Sequence, residues 1–291
     1  MPTNEIVIKP TTDLFIAALW SAPKNEPILR SLLNAVMTDI GQPVIVKATV
    51  LNPFNIQDRA VDKQIRLDVL VEDETGAIYN IEVQTDSHKG FFDRMLYYWA
   101  EIYGTGLQRS ERYEDLRPVH SIVITEFSVF RQLKQLHAVF EIRARENPAV
   151  LLSTHFQMHV LRLGDLLRNN LSGLDDLCKD LQRWMQFWAF GKQLEENKMN
   201  AILHDSPDVL QAYEEYKRFT ADTVMWEKIK ERERFLIDQR LLRGYAIREG
   251  REEGREEGKI ETARNLKRLG VPAATIAEAT GLSLTEIERL D

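Results

Sequence analysis

The sequence contains almost no cysteine and no long apolar run. Its 291 residues include a single cysteine, Cys178, which excludes an intrachain disulfide and a zinc site built from cysteines. No stretch approaches the ~20 consecutive apolar residues that a membrane-spanning helix requires. The first residues do not place a basic segment before an apolar one, so no signal peptide is predicted. These absences favour a protein of the reducing cytoplasm with no membrane partner.

The chain also lacks an excess of positive charge. It has 38 Lys and Arg residues against 45 Asp and Glu residues, for a formal net charge of −7. This balance argues against binding nucleic acid through the whole surface, although it allows a local basic groove. The length is sufficient for one large core and a smaller module.

The most informative stretch is a predicted β-hairpin over residues 63–84. Two segments rich in Ile, Val, Leu and Tyr flank a short polar link that contains Gly76. A three-residue loop would place Gly76 in the left-handed conformation that such loops need. In that register Asp68 lies opposite Glu82, and Arg66 lies opposite Gln84, with facing Cβ atoms ~5 Å apart.

The two facing carboxylates predict a metal site. Side chains alternate across a strand, so Asp68, Glu82 and Gln84 share one face of the hairpin. Like charges at directly opposed positions are destabilising, and a divalent cation between them would remove the repulsion. Hard cations such as Mg²⁺ prefer oxygen ligands. The alternative interpretation is an ordinary hairpin with an exposed polar face.

These residues also carry a resemblance to a known family. Asp68, a turn and then Glu82–Gln84 resemble the Asp…Glu-x-Lys core of the PD-(D/E)XK nuclease superfamily, with glutamine at the position of the lysine. Together with the later run Arg94–Trp99, the pattern is similar to the recombination-promoting nuclease (Rpn) family of transposase-associated proteins. The resemblance covers roughly residues 11–165 and extends in kind to the C-terminal tail.

The resemblance implies an α/β fold and a hydrolytic activity. The fold would be a restriction-endonuclease-like core, with a mixed central sheet flanked by helices, followed by a helical C-terminal extension. The activity would be metal-dependent hydrolysis of phosphodiester bonds by a DNA endonuclease of the recombination-promoting type, in a setting of phage or mobile-element conflict. The alternative is a non-catalytic nuclease-fold protein that binds DNA or a protein, or an oligomeric scaffold.

The same resemblance assigns roles to residues of the hairpin. Asp68, Glu82 and Gln84 would be catalytic. Asp68 and Glu82, with the carbonyl of Val83, would bind Mg²⁺ or another divalent cation such as Mn²⁺ or Ca²⁺. Gln84 has no positive charge, but its amide can orient the attacking water or a phosphate oxygen.

Three further residues are supporting candidates. Asp13 begins a predicted helix, where it would either add an acid to the site, as the resemblance implies, or serve as an N-cap. Arg94 and Tyr98 lie four residues apart on another predicted helix and therefore share one face. Arg94 would contact a phosphate or form a structural salt bridge. His88 lies in a loop beside the site, where contact with substrate and simple solvation are both open.

The chain is predicted to divide into three parts, namely a nuclease-like core over 1–165, a helical region over 166–247 and a C-terminal part over 248–291. The last part begins with a four-residue repeat that places glycines at 250, 254 and 258 between Arg and Glu residues. On a helix the glycines form one row, which permits close approach of another backbone. The alternative for this repeat is a solvated hinge.

Residues 276–287 resemble a helix-turn-helix. The helix that would read DNA carries Glu286, Glu288 and Asp291 against one base, Arg289, and DNA readout requires the opposite sign. An assembly module is therefore favoured over a sequence reader. The C-terminal helices are expected to make a homo-oligomer, with a dimer as the default.

Apolar periodicity predicts the remaining elements. The aromatic run around Trp184 and Trp188 is expected to be covered by another element or by another subunit. Strands are predicted over Val44–Leu51, Val119–Phe127, Leu136–Ile142 and His155–Leu163. Helices are predicted from Asp13, over Glu26–Met37, Phe91–Leu107 and Leu181–Phe190, over one long stretch Asp208–Tyr245, and as three short helices within 262–291.

Overall fold

A computed structural model describes residues 8–52, 69–87, 89–107, 112–168 and 172–290. The chain divides into two units, Met1–Ile229 and Lys230–Asp291. The predictions for Arg66, Asp68 and His88 lie outside the described residues.

A six-stranded sheet forms the centre of the first unit, in the order β1-β2-β3-β4-β6-β5 among the residues described. The pairs β3–β4 and β4–β6 are parallel, and the other three pairs are antiparallel, so the sheet is mixed as predicted. The strand predicted over Val44–Leu51 is shorter than expected. The strands are β1 Ala48–Val50, β2 Val69–Asp73, β3 Ile78–Gln84, β4 Val119–Thr125, β5 His137–Glu141 and β6 Phe156–Leu161.

The hairpin of β2 and β3 has the predicted loop and the predicted register. Val69 faces Ile81, and the pairing continues to the loop. The loop closes with a hydrogen bond of 3.1 Å from the Asp73 amide to the Ala77 carbonyl, and Gly76 has a φ of +85°. Because a side chain is strained at that φ, glycine suits the position. The described pairing begins at Val69, so the pairing of Asp68 with Glu82 stays a prediction.

Helices cover both faces of the sheet. One helix, α3, packs on the face that carries Val123 and Val160. The opposite face, which carries Ile81 and Ile122, belongs to a larger apolar cluster with most of the other helices. Among the described residues, the α-helices that lie wholly in the first unit are α1 Asp13–Ser21, α2 Glu26–Asp39, α3 Phe91–Thr105, α4 Leu163–Arg168, α5 Lys179–Phe190, α6 Glu196–Leu203 and α7 Pro207–Ala221.

The aromatic run on α5 is buried within the chain itself. Trp184 is fully buried and Trp188 is 3% exposed. Phe187 meets Tyr213 and Tyr216 of α7 at ring-centroid distances of 6.2 Å. Full burial of a large apolar side chain contributes ~1.5–3 kcal/mol, so this surface stabilises the first unit. The expectation that a second element covers the run is confirmed, and its two tryptophans are not available to a partner subunit.

The helical stretch predicted over Asp208–Tyr245 is confirmed, with one interruption at Asp222 that divides it into two helices. The Asp222 carboxylate accepts hydrogen bonds from the Val224 and Met225 amides, at 2.8 and 3.2 Å. This capping begins a new helix, α8, which runs over Thr223–Arg268 through the glycine repeat. The first of the three short helices predicted within 262–291 is therefore the end of this long helix.

The second unit has its own small core. The end of α8 joins α9, Ala273–Thr280, and α10, Leu284–Glu288. Gly270 and Gly281 follow α8 and α9 with φ near +78° and +76°, as predicted for helix-ending glycines. The predicted capping box of Ser283 and Glu286 is present at the start of α10. Four buried apolar side chains form the core, namely Ala263, Ile276, Leu282 and Ile287.

The larger apolar cluster runs from Ile8 to Ile229 and includes residues on both sides of position 165. The boundaries at 165 and 247 stay predictions. None of the helices in the described ranges is both apolar enough and long enough to cross a bilayer.

Candidate active site

The candidate site lies at the carboxyl end of β3, near the middle of the sheet. Glu82 and Gln84 are two residues apart on this strand and so project from the same face. The neighbouring strand β4 runs parallel, with Val123 beside Glu82 and Thr125 beside Gln84. Because carboxyl ends of parallel strands meet at one edge of a sheet, the last residues of both strands border the same space.

Three of the residues predicted from the sequence are in direct contact. The Gln84 Nε2 donates a hydrogen bond of 2.8 Å to Glu82 Oε1. Arg94 Nη2 donates to Gln84 Oε1 at 3.0 Å and lies 3.4 Å from Glu82 Oε1. The side chain of Glu82 is 11% exposed and that of Arg94 is 35% exposed. The cluster is therefore mostly enclosed but open to solvent on the arginine side.

The helix α3 places Arg94 over the strand. Gly90 precedes the helix with a φ of +79°, which turns the chain after β3 back across the sheet. Trp99 fixes the middle of the helix, since its Nε1 donates a hydrogen bond of 3.0 Å to the Val119 carbonyl at the start of β4. The Arg94 guanidinium lies 5.8 Å from the Tyr98 ring centroid, so both residues share one face as predicted.

Asp13 is the first residue of α1, and its Oδ1 lies 2.7 Å from the Leu14 amide nitrogen. Thr12 occupies the N-cap position that the sequence suggested for Asp13. The preceding segment is tied to the same end of the sheet, because Thr11 Oγ1 donates to the Glu126 carboxylate, and the Glu126 amide donates to the Gln84 carbonyl at 2.9 Å. A role for Asp13 in the site stays a prediction.

The oxygen atoms at the end of β3 are of the kind that bind a hard divalent cation. The Gln84 carbonyl points toward β4, where it accepts the Glu126 amide. Successive carbonyls of a strand point to opposite sides, so the Val83 carbonyl points toward the β2 side, beyond the last described pair of that ladder. A carboxylate and a main-chain carbonyl are the oxygen ligands that Mg²⁺ and Ca²⁺ prefer. The described residues contain no group of three metal-ligating side chains, and Asp68, the second predicted carboxylate, lies outside them.

Three buried polar side chains on the same face were not identified from the sequence. Asn80, on β3, is 2% exposed, and Ser121 and Thr125, on β4, are 1% and 0% exposed. Their Oδ1, Oγ and Oγ1 atoms have no hydrogen-bond partner within the described ranges. Asn80 precedes Glu82 by two residues, so strand alternation was a usable signal. The other two are brought beside it only by the parallel pairing of β3 with β4.

The opposite face of the sheet carries a separate group of buried titratable residues. His137 bridges Asp39 and His159, with distances of 2.7 Å from Nδ1 to Asp39 Oδ2 and 3.0 Å from Nε2 to His159 Nδ1. Burial lowers the pKa of His120 to about 4, and burial and the neighbouring His137 lower the pKa of His159. Both are neutral at neutral pH, and the group ties β5 and β6 to α2.

Comparison with known proteins adds one match. A family model described as PD-(D/E)XK nuclease family transposase matches residues 10–246, a range that includes every candidate residue of the site. No curated protein and no solved structure matches the chain.

Proposed function

Because the chain belongs to the PD-(D/E)XK nuclease family transposases, we propose that it is a metal-dependent DNA endonuclease that hydrolyses phosphodiester bonds. The observation that carries this proposal is the contact of Glu82, Gln84 and Arg94 at the carboxyl end of β3. A recombination or transposition role, in phage or mobile-element conflict, is part of the proposal and follows from the family resemblance.

In this proposal Asp68 and Glu82 hold the cation, together with the Val83 carbonyl. A bound Mg²⁺, Mn²⁺ or Ca²⁺ would act as a Lewis acid toward the phosphate and lower the pKa of a coordinated water. Gln84 orients the attacking water or a phosphate oxygen, because its amide offers both a donor and an acceptor.

Arg94 supplies the positive charge that glutamine at position 84 lacks. Its guanidinium now lies beside Glu82 and Gln84, and a charge at this place would attract a phosphate into the site. Tyr98 packs against the guanidinium and limits its orientations. Asp13 supplies a further acid at the same end of the sheet.

The decisive test is plasmid cleavage by the purified protein with Mg²⁺, with Mn²⁺ and with EDTA. We expect cleavage with a divalent metal, none with EDTA, and none by Asp68→Ala or Glu82→Ala, while both variants keep the circular dichroism spectrum of the wild type. Wild-type cutting by either variant would rule out the mechanism. The rival function is that of a nuclease-fold binding protein, and glutamine in place of the lysine at position 84 favours it. Metal-independent DNA binding without any cleavage would support this rival.

We also propose a homodimer that forms through the C-terminal helices. Gly250, Gly254 and Gly258 on α8 have open space where a Cβ would be, and Leu242 and Tyr245 on the same helix are 60% and 58% exposed. The row of glycines would allow the α8 helices of two chains to cross closely, with arginines of one reaching acids of the other.

A triple substitution of these glycines by glutamine tests the dimer. A Cβ atom added at each of these positions has open space around it, and each substitution removes up to ~1 kcal/mol of helix penalty. We expect the variant to be a stable monomer in light scattering, because the bulk blocks only a contact between chains. An unchanged mass in solution would exclude the glycine row as the interface.

A further inference from the structure

A cavity of about 260 Å³ lies beside the candidate active site, between the start of α3 and the segment that follows β4. This volume is slightly below the ~300–1,000 Å³ of pockets that hold drug-sized molecules. A space of this size, open to solvent on one side, is sufficient for one planar ring system. None of the functions assigned above uses this cavity.

Aromatic rings form the walls of the cavity. Phe91, Phe92 and Phe127 all line it. Phe91 is buried, with its ring 4.8 Å from that of Phe92 and 5.6 Å from that of Phe127 by centroid, and both contacts are edge-on. Phe92 and Phe127 are only partly buried, and both residues are accessible from the cavity. Every nucleobase has a π-face that stacks on such rings.

Two polar side chains border the same cavity, namely Ser87 and Asp93, and both are exposed. The Asp93 carboxylate accepts hydrogen bonds and repels a phosphate. It therefore suits a base with an exocyclic amino group, as when aspartate accepts from cytosine N4. Thymine presents only one ring N–H between two carbonyls and would be disfavoured.

The cavity is connected to the candidate active site through Arg94. This residue directly follows Asp93 in α3, and its guanidinium lies 5.6 Å from the centroid of the Phe91 ring that lines the cavity. The same guanidinium contacts Glu82 and Gln84. A nucleotide whose base entered the cavity would thus bring its phosphate next to Arg94.

We propose that this cavity binds one unstacked nucleobase bearing an exocyclic amino group, in the strand whose phosphate occupies the active site. The inference rests on the proposed nuclease function and deepens it, because it makes single-stranded or locally opened DNA the substrate. Phe92 and Phe127 stack on the base, and Asp93 selects it.

Fluorescence anisotropy of the full-length protein with labelled single-stranded octamers of deoxycytidine, deoxyadenosine or thymidine tests the proposal in EDTA. We expect the wild type to bind the first two about tenfold more tightly than the thymidine octamer. Phe92→Leu should weaken binding of all three about 5- to 100-fold, because leucine keeps the apolar packing and loses the stacking face. The matched control is Phe140→Leu, which removes a ring from the same aromatic cluster outside the cavity wall.

Asp93→Asn should abolish the discrimination against thymidine, since an amide can donate to the thymine carbonyls. Removing a negative charge strengthens DNA binding in general, so the ratio of affinities is the readout. Glu101→Gln makes the same charge change at an exposed position of α3 and should leave the ratio unchanged. Equal wild-type binding of the three octamers, an unchanged ratio in Asp93→Asn, or equal losses in Phe92→Leu and Phe140→Leu would each overturn the inference.

The two proposals fail separately. Binding is measured without metal, so base discrimination by a protein that never cleaves DNA would leave this inference standing and reject the nuclease. Metal-dependent cleavage with no base discrimination would support the nuclease and reject the nucleobase site.

Discussion

Two glutamates of the sheet have the same kinds of partner and different surroundings. Glu82, on the central strand β3, accepts a hydrogen bond from Gln84 and contacts Arg94. Glu141, at the end of the edge strand β5, accepts hydrogen bonds from Gln157 at 3.0 Å and from Arg143 at 2.6 Å. The hydrogen bond from Gln157 lowers the pKa of Glu141, against the opposing effect of partial burial, and Arg143 adds to the lowering.

The difference lies in what else converges on each carboxylate. Glu82 lies near buried polar side chains of two parallel strands, and its partner Arg94 also packs on Phe91, a wall of the aromatic cavity. Arg143, the partner of Glu141, belongs to a local bridge with Leu151 beside the edge strand, and its Nη1 donates to the Pro148 carbonyl. A carboxylate with an arginine and a glutamine is therefore not a site by itself. A site requires elements from distant parts of the chain to meet at that carboxylate.

The largest expected effect separates these two glutamates directly. Glu82→Gln should reduce metal-dependent plasmid cleavage by about a thousandfold or more, because a neutral amide binds Mg²⁺ poorly and a catalytic metal supplies several kcal/mol. Glu141→Gln loses an ion pair at the edge of the sheet, with side chains that are 17% and 39% exposed, and its cleavage rate should equal that of the wild type. Comparable cleavage rates for the two variants in single-turnover assays would show that Glu82 has no special role in the reaction.

The histidine group on the opposite face should matter for stability alone. His137→Leu removes one of the two partners of the partly buried Asp39 carboxylate, the other being the Cys178 amide, and should lower the free energy of unfolding by ~2–3 kcal/mol. Cleavage per folded molecule should stay unchanged at low temperature. Chemical denaturation measures the first effect, with His204→Leu, an exposed position, as the control expected to change stability by less than ~0.5 kcal/mol. A loss of cleavage by folded His137→Leu would contradict this prediction, because it would show that the histidine face of the sheet also contributes to activity.

Gln84 should be replaceable by a residue that keeps a donor. Gln84→Leu removes both hydrogen bonds of the side chain, to Glu82 and from Arg94, and should lower cleavage ~10- to 100-fold, a magnitude typical of residues that orient metal ligands. Gln84→Lys keeps a donor near Glu82 and restores the residue of the superfamily core, so it should remain active. Full activity of the leucine variant would show that Gln84 takes no part.

Acid should destabilise the fold through the buried histidines. The pKa of His120 is about 4 in the folded protein and ~6.5 in the unfolded chain. Between these values the unfolded chain binds a proton that the folded one does not, so stability is complete above pH ~6.5 and falls as the pH decreases toward 4. The free energy of unfolding should be ~1–2 kcal/mol lower at pH 5 than at pH 7 for this residue. His120→Gln should show a smaller decrease, and an unchanged pH slope would contradict the assignment.

The smallest expected effect concerns Thr125. Valine has nearly the same shape, and Thr125→Val removes a fully buried hydroxyl that has no partner in the described part of the chain. Stability should hold or rise by ~1 kcal/mol, while cleavage should fall up to about tenfold if the hydroxyl positions substrate or water, an effect the size of one modest hydrogen bond. Thr49→Val, at an exposed position of β1, should change neither quantity. An increase in stability with no change in cleavage would place Thr125 outside the site.

The sequence by itself determined the features that depend on neighbouring residues. The loop at Gly76, the register from Val69 onward and the capping box at Ser283 each follow from side-chain alternation or from hydrogen bonds over three or four positions. The family resemblance also rests on short motifs, such as Glu82–Gln84, whose residues are neighbours on one strand. Elements defined over such short spans are encoded locally.

The tertiary structure decided what distant segments do to one another. The contact of Arg94 with Glu82 and the aromatic cavity depend on α3 packing on the sheet. The buried Thr125 lies beside Gln84 because β3 and β4 pair in parallel. The burial of Trp184 depends likewise on helices that follow it in the chain. Parallel pairing and helix packing join segments through long connections, and many partners satisfy the same apolar pattern. Only the packing of the whole core selects one of them.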